Sequence, residues 1–228
     1  FAAAILTFVM THVLQFLLKK YTGLPVLSIP FVLVSSLVYL ATLRSSNLWS
    51  HYLINHPQQF DFTLPNWLSG YLLSLGSIFF SKNIFVGICI MIALFIHSRI
   101  AFVLSIIGYY SGALITGEFN STYSSTYMNL NYFNYILIAI AVGSIYLIPS
   151  FKSYVIAIFA VVVSYITLGA TEVFFEKYSI PVFTLPFNIT VLCFLFYTDI
   201  IGSRLKTYTY LDSPEANLDF HRNYVKRF

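Results

Sequence analysis

The chain has 228 residues, of which 58% are hydrophobic and only 9% are charged, and its mean hydropathy is +0.80. Soluble globular domains usually carry about 25% charged residues, so this composition excludes a protein covered by water on all sides and indicates lipid-facing surface. The net charge of +4 comes from basic residues that form no dense cluster, which argues against nucleic acid as a partner.

Two apolar runs open the chain, Phe1 to Leu18 and Leu24 to Leu43. Each is long enough to approach a bilayer-spanning helix and stops at basic side chains, which membrane proteins place at the headgroups. The mixed, polar stretch 45–63 predicts an interfacial linker rather than a soluble domain. We therefore expect residues 1–44 to form two membrane spans.

The next two apolar runs, Trp67 to Phe80 and Ile84 to Ile96, are short. At about 1.5 Å per residue, a run of this length reaches about two-thirds of a hydrocarbon core of roughly 30 Å. Irregular backbone at membrane depth is tolerated only against protein or a wet cavity. The short runs indicate either a transport path or segments that join into tilted or kinked spans.

The later apolar runs complete the pattern of an all-α, polytopic membrane protein. They cover residues 100–116, 130–148, 154–170 and 180–197. The polar tail 203–228 mixes charged and aromatic residues and is typical of a lead into a soluble module. The chain also lacks an initiator Met, so we expect it to be part of a longer protein.

An internal repeat links the two halves of the chain. Leu24–Phe31 (Leu-Pro-Val-Leu-Ser-Ile-Pro-Phe) recurs as Ile180–Phe187 (Ile-Pro-Val-Phe-Thr-Leu-Pro-Phe), with both prolines, the valine and the phenylalanine identical and a hydroxyl kept at Ser28 and Thr184. Prolines near a helix start remove backbone donors and leave carbonyls without intrahelical partners. The repeat predicts that residues 1–44 end a first structural repeat and that 64–202 form a complete second one.

Three motifs of this chain resemble those of the urea-transporter family. The repeated element is similar to the one that begins the last long helix of each half in that family. Leu130–Leu137 is similar to the family's aromatic-asparagine element, which opens a pore half-helix, with Tyr132 and Tyr135 in place of glycines. Gly76–Asn83 is similar to a third family stretch, in which Ser77 replaces a glutamine.

This resemblance implies two inverted halves with re-entrant pore half-helices and one pore per protomer, usually in a homotrimer. It implies a multi-pass protein of the cell membrane, a bacterial inner membrane being the expected location. The implied activity is passive, channel-like transport of urea or a similar small neutral amide. The implied pore or substrate-binding residues are Ser28, Thr184, Phe80, Ser77, Phe133, Phe31 and Phe187, and the implied supports of the half-helices are Pro30, Pro186, Asn134 and Asn188.

These residue types suit a solute that carries amino groups around a carbonyl. A hydroxyl both donates and accepts hydrogen bonds, so Ser28 and Thr184 are expected near the pore centre. The ring of Phe80 is expected to pack against the flat face of the solute. Serine and threonine in spans also commonly bond back to a carbonyl one turn earlier, and most phenylalanines of such a chain face lipid or core.

Charge is missing from the middle of the apolar runs. Asp, Glu, Lys and Arg lie at or near their ends, as Glu118, Glu172 and Asp199 do. Ion- and proton-coupled transporters generally place ionisable groups at mid-membrane, so we expect uncoupled transport. The sequence contains no motif that predicts a cofactor or a metal site.

Two other functions remain open on the sequence alone. A membrane subunit of a flavin-containing, redox-driven ion pump would carry flavin on a Thr after Ser-Gly-Ala, whereas Ser111–Leu114 ends in Leu. The second open function is that of a membrane anchor for a C-terminal hydrolase. The membrane part itself shows no catalytic triad, so it is not expected to be an enzyme.

Overall fold

The computed structural model describes residues 1–43, 64–120, 126–178, 180–201 and 213–225, and these ranges are helical with no strand. The predicted linker 45–63 lies outside them. A 3-10 turn at Leu130–Tyr132 leads into the helix Phe133–Ile140, and a π-helical turn at Ala141–Ile145 continues that helix. The helices are α1 (Ala2–Tyr21), α2 (Ile29–Leu43), α3 (Asn66–Ser77), α4 (Ile84–His97), α5 (Arg99–Asn120), α6 (Phe133–Ile140), α7 (Phe151–Glu176), α8 (Leu185–Ile200) and α9 (Pro214–Val225).

Three of these helices are long and apolar enough to cross a membrane, namely α1, α5 and α7. Half of the most apolar stretch of α5 and a third of that of α7 are buried inside the protein, whereas α1 buries none of its own. The remaining surface of the three helices is rich in exposed Ile, Leu, Val and Phe. A surface of this kind is stable only against lipid or further protein, and the chain is an all-α membrane protein.

The two short apolar runs form separate helices that fold back on each other. α3 ends at Ser77, and α4 begins only at Ile84. The backbone of Gly87 in α4 lies against the backbone of Leu72 in α3, which a single kinked span cannot achieve because these residues would lie about 20 Å apart along one helix. The sequence therefore marked a true interruption, and the joined-span alternative was wrong.

The core lies where α6 is enclosed by its neighbours. Together with its two flanking turns, α6 forms the apolar helix Leu130–Ile145, which is shorter than the roughly 20 residues that a bilayer span needs. Tyr135, Ile136 and Ile138 are fully buried in it. A side chain at Gly112 of α5 would overlap the ring of Tyr135, so the small residue is what lets α5 approach. Such close contacts through small residues are a common way for membrane helices to associate.

The polar tail contains a helix that docks onto the membrane part. In α9, the Oε1 atom of Glu215 accepts hydrogen bonds from the Ser98 hydroxyl (3.0 Å) and from the backbone N–H of Ile100 (3.0 Å) at the start of α5. Burial by itself raises the pKa of the Glu215 carboxyl, but these hydrogen bonds outweigh it and hold the pKa below its ordinary value of 4.5. Glu215 thus satisfies donors at the start of α5 that would otherwise lack partners.

Gly87→Ala is expected to loosen the α3–α4 pair. The added methyl group would overlap the carbonyl of Leu72, and overpacking of this kind costs about 1–3 kcal/mol of folding free energy. The measurement is the thermal midpoint of the purified protein in detergent. Gly169→Ala is the control, because a Cβ there meets no atom within 4 Å, and its midpoint should not fall. Equal midpoints for wild type and Gly87→Ala would contradict the close approach.

The docking of α9 is expected to weaken in acid. Because the folded-state pKa of Glu215 is lowered, its contribution is present above the ordinary pKa and is lost as the pH falls through and below it. Hydrogen exchange of the α9 amides, corrected for intrinsic rates, should be slow at pH 7 and faster near about pH 4. Glu215→Gln should remove this pH dependence and Asp219→Asn should keep it. An identical pH dependence in wild type and Glu215→Gln would rule the contact out as its source.

Candidate functional site

Both copies of the repeated element adopt the same backbone. Leu27 and Phe183, at matched positions, both have φ of 50°. The residue that follows each of them completes a turn, and the helix begins one residue later, at Ile29 in α2 and at Leu185 in α8. A bulky residue with positive φ is uncommon and costs of order 1–3 kcal/mol. The turn is therefore a specific feature that the two copies share.

The two copies meet through their hydroxyl groups. The Oγ atom of Ser28 lies 2.7 Å from Oγ1 of Thr184 and 3.0 Å from Oδ1 of Asn188. The backbone N–H of Ser28 also donates to this Oδ1 atom, at 3.2 Å. Asn188 is 1% exposed, so a single buried amide receives both donors of the serine.

The geometry fixes the direction of these hydrogen bonds. The backbone N–H of Ser28 requires an acceptor, which identifies the facing Asn188 atom as its oxygen. That oxygen has no hydrogen to offer, so the Ser28 hydroxyl donates to it, and the Thr184 hydroxyl then donates to Ser28. Both hydroxyl hydrogens are thus engaged. The pair therefore offers a solute only the lone pairs of its two oxygens. The sequence-based expectation was that these hydroxyls would both donate and accept, and the structure leaves only the accepting role.

A second asparagine explains why the Thr184 hydroxyl is available. Thr184 precedes α8 at the capping position, yet its side chain makes no capping hydrogen bond. Pro186 has no N–H to be capped. The N–H of Phe187 is bound instead by Oδ1 of Asn134 (3.3 Å), whose Nδ2 atom donates to the carbonyl of Phe183 (3.1 Å). Asn134 is fully buried. It accepts the hydrogen bond from the start of α8 that an N-cap side chain usually accepts.

Three phenylalanine rings cluster beside the hydroxyl pair. The centroid of Phe31 lies 5.6 Å from that of Phe80 and 5.7 Å from that of Phe183, and Phe80 lies 6.1 Å from Phe183. Phe183 meets both other rings edge-on. Phe80, like Phe183, has a positive φ, of 59°. Such centroid distances are typical of favourable aromatic pairs.

Two cavities lie on either side of these rings. One, which we term the vestibule, has a volume of about 760 Å³. The other, the groove between α1 and α2, has a volume of about 840 Å³. Phe80 and Phe183 line both, and Phe31 lines the groove. The ring cluster therefore forms the boundary between the two cavities.

The other predicted site residues take different places. Phe133, at the start of α6, lines the vestibule, as does Ser77, whose hydroxyl donates to the Leu73 carbonyl of its own helix (2.8 Å). Ser28, Thr184 and Phe187 are half-buried and line neither cavity. The two predicted proline supports are buried just inside the starts of α2 and α8; they are Pro30 and Pro186.

Sequence reasoning missed Phe183 and a polar wall of the vestibule. In that wall, Oε1 of Glu172 in α7 accepts from Nδ2 of Asn129 (3.0 Å) and of Asn131 (2.8 Å), which precede α6. Glu172 lies more than forty positions from both asparagines. In the sequence, Glu172 marks only the end of an apolar run, Asn129 closes a polar stretch, and Asn131 belongs to the aromatic-asparagine element. Phe183 directly precedes Thr184 in the sequence, and this position could have drawn attention to it. It was overlooked because one more apolar residue in an apolar motif carries no specific signal.

The family assignment follows from a comparison with known proteins. The family model described as "Urea transporter" matches residues 1–199. The chain belongs to the urea transporter family. The match spans both copies of the repeated element, the hydroxyl pair and the three rings, so the whole candidate site lies within the matched residues.

Membership in the urea transporter family identifies a transporter and not an enzyme, and it supports neither of the alternative functions. The segment Ser111–Leu114, considered for flavin attachment, lies within α5. There Gly112 packs on the ring of Tyr135, and Leu114 is 53% exposed on the outer surface. The glycine of this segment is explained by close packing between α5 and α6.

Asn134→Leu is expected to destabilise the start of α8. The change leaves the Phe187 N–H and the Phe183 carbonyl without their partner, and each unpaired buried group costs about 1–3 kcal/mol. The thermal midpoint in detergent should fall clearly below that of the wild type. Asn66→Leu, at an exposed asparagine at the start of α3, is the control and should leave it unchanged. A midpoint of Asn134→Leu equal to that of the control would refute the capping role.

Proposed function

We propose that this protein carries out passive, channel-like transport of urea or a similar small neutral amide across a membrane. Membership in the urea transporter family supports urea as the solute. The observation that carries the proposal is the 2.7 Å contact between the hydroxyls of Ser28 and Thr184. It joins the two repeat copies beside the rings that divide the vestibule from the groove.

The chemistry of this centre suits the amino groups of urea. A polar solute that leaves water must find replacement hydrogen bonds, because an unpaired polar group in apolar surroundings costs several kcal/mol. The oxygens of Ser28 and Thr184 retain lone pairs that accept from the N–H groups of the solute. The rings of Phe31, Phe80 and Phe183 offer flat apolar faces that match a planar molecule.

A passive mechanism is supported by where the charges lie. In the apolar helices of the described ranges, Asp, Glu, Lys and Arg side chains stand at or near helix ends. The charged residues that line the vestibule are Lys82, Glu172 and Glu176, and two asparagines already bind the Oε1 atom of Glu172. His12, inside α1, bonds to the Phe8 carbonyl of its own helix (2.9 Å). A neutral solute that moves down its gradient needs no ionisable group at mid-membrane.

Membership in the family also supports three architectural proposals. The protein acts as a homotrimer with one pore per protomer. Residues 1–44 end a first repeat, and residues 64–202 form a complete second repeat of inverted orientation, with α6 as its re-entrant half-helix. The protein resides as a multi-pass protein in the cell membrane, the inner membrane of a bacterium.

Thr184→Val is expected to reduce urea permeability about fivefold, because the loss of one hydrogen bond costs of order 1 kcal/mol. The measurement is stopped-flow light scattering of proteoliposomes in a urea gradient. Thr190→Val is the matched control: it makes the same change six residues later, within α8, where the hydroxyl pairs with that of Thr167 (3.1 Å). Equal urea permeabilities for the two variants would refute the role of Thr184.

The passive mechanism has a separate test in the same vesicles. Urea flux should be unchanged when a protonophore collapses the pH gradient, and urea should not accumulate above equilibrium. Uptake driven by an imposed proton gradient would overturn channel-like transport while leaving urea as the solute.

A further inference from the structure

Phe183 is the ring that distinguishes the second copy of the repeat from the first. The matched residue in the first copy is Leu27, which has the same φ of 50°. Leu27 and Phe183 both pack against the hydrophobic core, but Leu27 lines neither the vestibule nor the groove. Two residues with one backbone conformation thus carry side chains of different shape, and only that of Phe183 lines the two cavities.

The position of Phe183 places it at the boundary of the two cavities. Phe183 and Phe80 line both the vestibule and the groove. The plane of the Phe183 ring stands at 83° to that of Phe31 and at 78° to that of Phe80. Phe31 and Phe80 are inclined by only 35° to each other. The Phe183 ring therefore stands nearly perpendicular to both other rings, at the boundary between the two cavities.

The backbone supports a role for the side chain itself. Glycine adopts a positive φ without strain, whereas a phenylalanine does so at a cost. A glycine would therefore satisfy the turn before α8 at least as well. The turn does not require a bulky residue. The role of the ring therefore lies in its contacts with the other two rings and with the two cavities.

We propose that Phe183 is a specificity-determining residue of the solute passage, and this inference rests on the proposed function. Its ring edge, facing Phe31 and Phe80, sets the width between the vestibule and the groove. A planar amide without substituents on nitrogen slips between the rings. An N-alkylated amide is excluded, because each added methyl group must displace a ring edge that neighbouring rings hold.

The experiment compares Phe183→Gly with Leu27→Gly in proteoliposomes. Each variant removes a side chain at a φ of 50° and relieves the same backbone strain, but only the first opens the boundary between the cavities. The measured quantity is the permeability ratio of 1,3-dimethylurea to urea. For Phe183→Gly this ratio should rise by roughly tenfold, as expected when room for an extra carbon is created, and for Leu27→Gly it should stay at the wild-type value.

The outcomes separate this inference from the proposed function. An unchanged ratio in Phe183→Gly, with urea still conducted, overturns the role of Phe183 and leaves urea transport standing. A rise that is accompanied by mannitol entry also overturns it, because it indicates a general leak. If the wild type conducts no urea above protein-free liposomes, both proposals fall. Should Phe183→Gly not elute as a folded protein, Phe183→Leu decides: a raised ratio supports the role and an unchanged ratio overturns it.

Discussion

The structure depends on satisfying polar groups where two helix starts meet inside an apolar protein. The start of a helix leaves backbone N–H groups without intrahelical partners, and in a membrane no water is at hand to bind them. α8 meets this demand with Asn134, which reaches across from α6 to the Phe187 N–H (3.3 Å). Ser28, which precedes α2, is served by Asn188, which reaches across from α8 (3.2 Å). Each start is therefore stable only when a neighbouring element is in place.

This arrangement leaves one polar group without a partner. Among the described residues, Nδ2 of Asn188 is buried and makes no hydrogen bond, at a typical cost of about 1–3 kcal/mol. The donors of Ser28 hold the oxygen of Asn188 in place, so the amide cannot turn to relieve it. Leu27, Phe80 and Phe183 add backbone strain near the same site. Unsatisfied groups and strain of this kind concentrate at functional sites, which agrees with a site rather than a plain packing contact.

The sequence predicted the features that local rules encode. The paired prolines predicted where α2 and α8 begin to within a few residues. The short runs left open whether α3 and α4 join, and the structure separates them. The family assignment was confirmed by the match to residues 1–199. The contact of Glu172 with Asn129 and Asn131 was beyond prediction, because it depends on how α7 packs beside α6. The placement of the Phe183 ring, nearly perpendicular to Phe31 and Phe80, was also beyond prediction, because it depends on how three separate segments pack together.

The two copies of the repeat share a backbone and differ in chemistry. The turn, the buried prolines and the helix start coincide, since they are set by local geometry that the motif encodes. The side chains do not: Leu27 corresponds to Phe183, and Val32, which is buried, corresponds to Asn188. In each case the ring or the amide belongs to the second copy. Since Asn188 binds Ser28 of the first copy, the second copy supplies groups that the first needs. A duplicated backbone thus builds one asymmetric centre, in which neither copy is complete without the other.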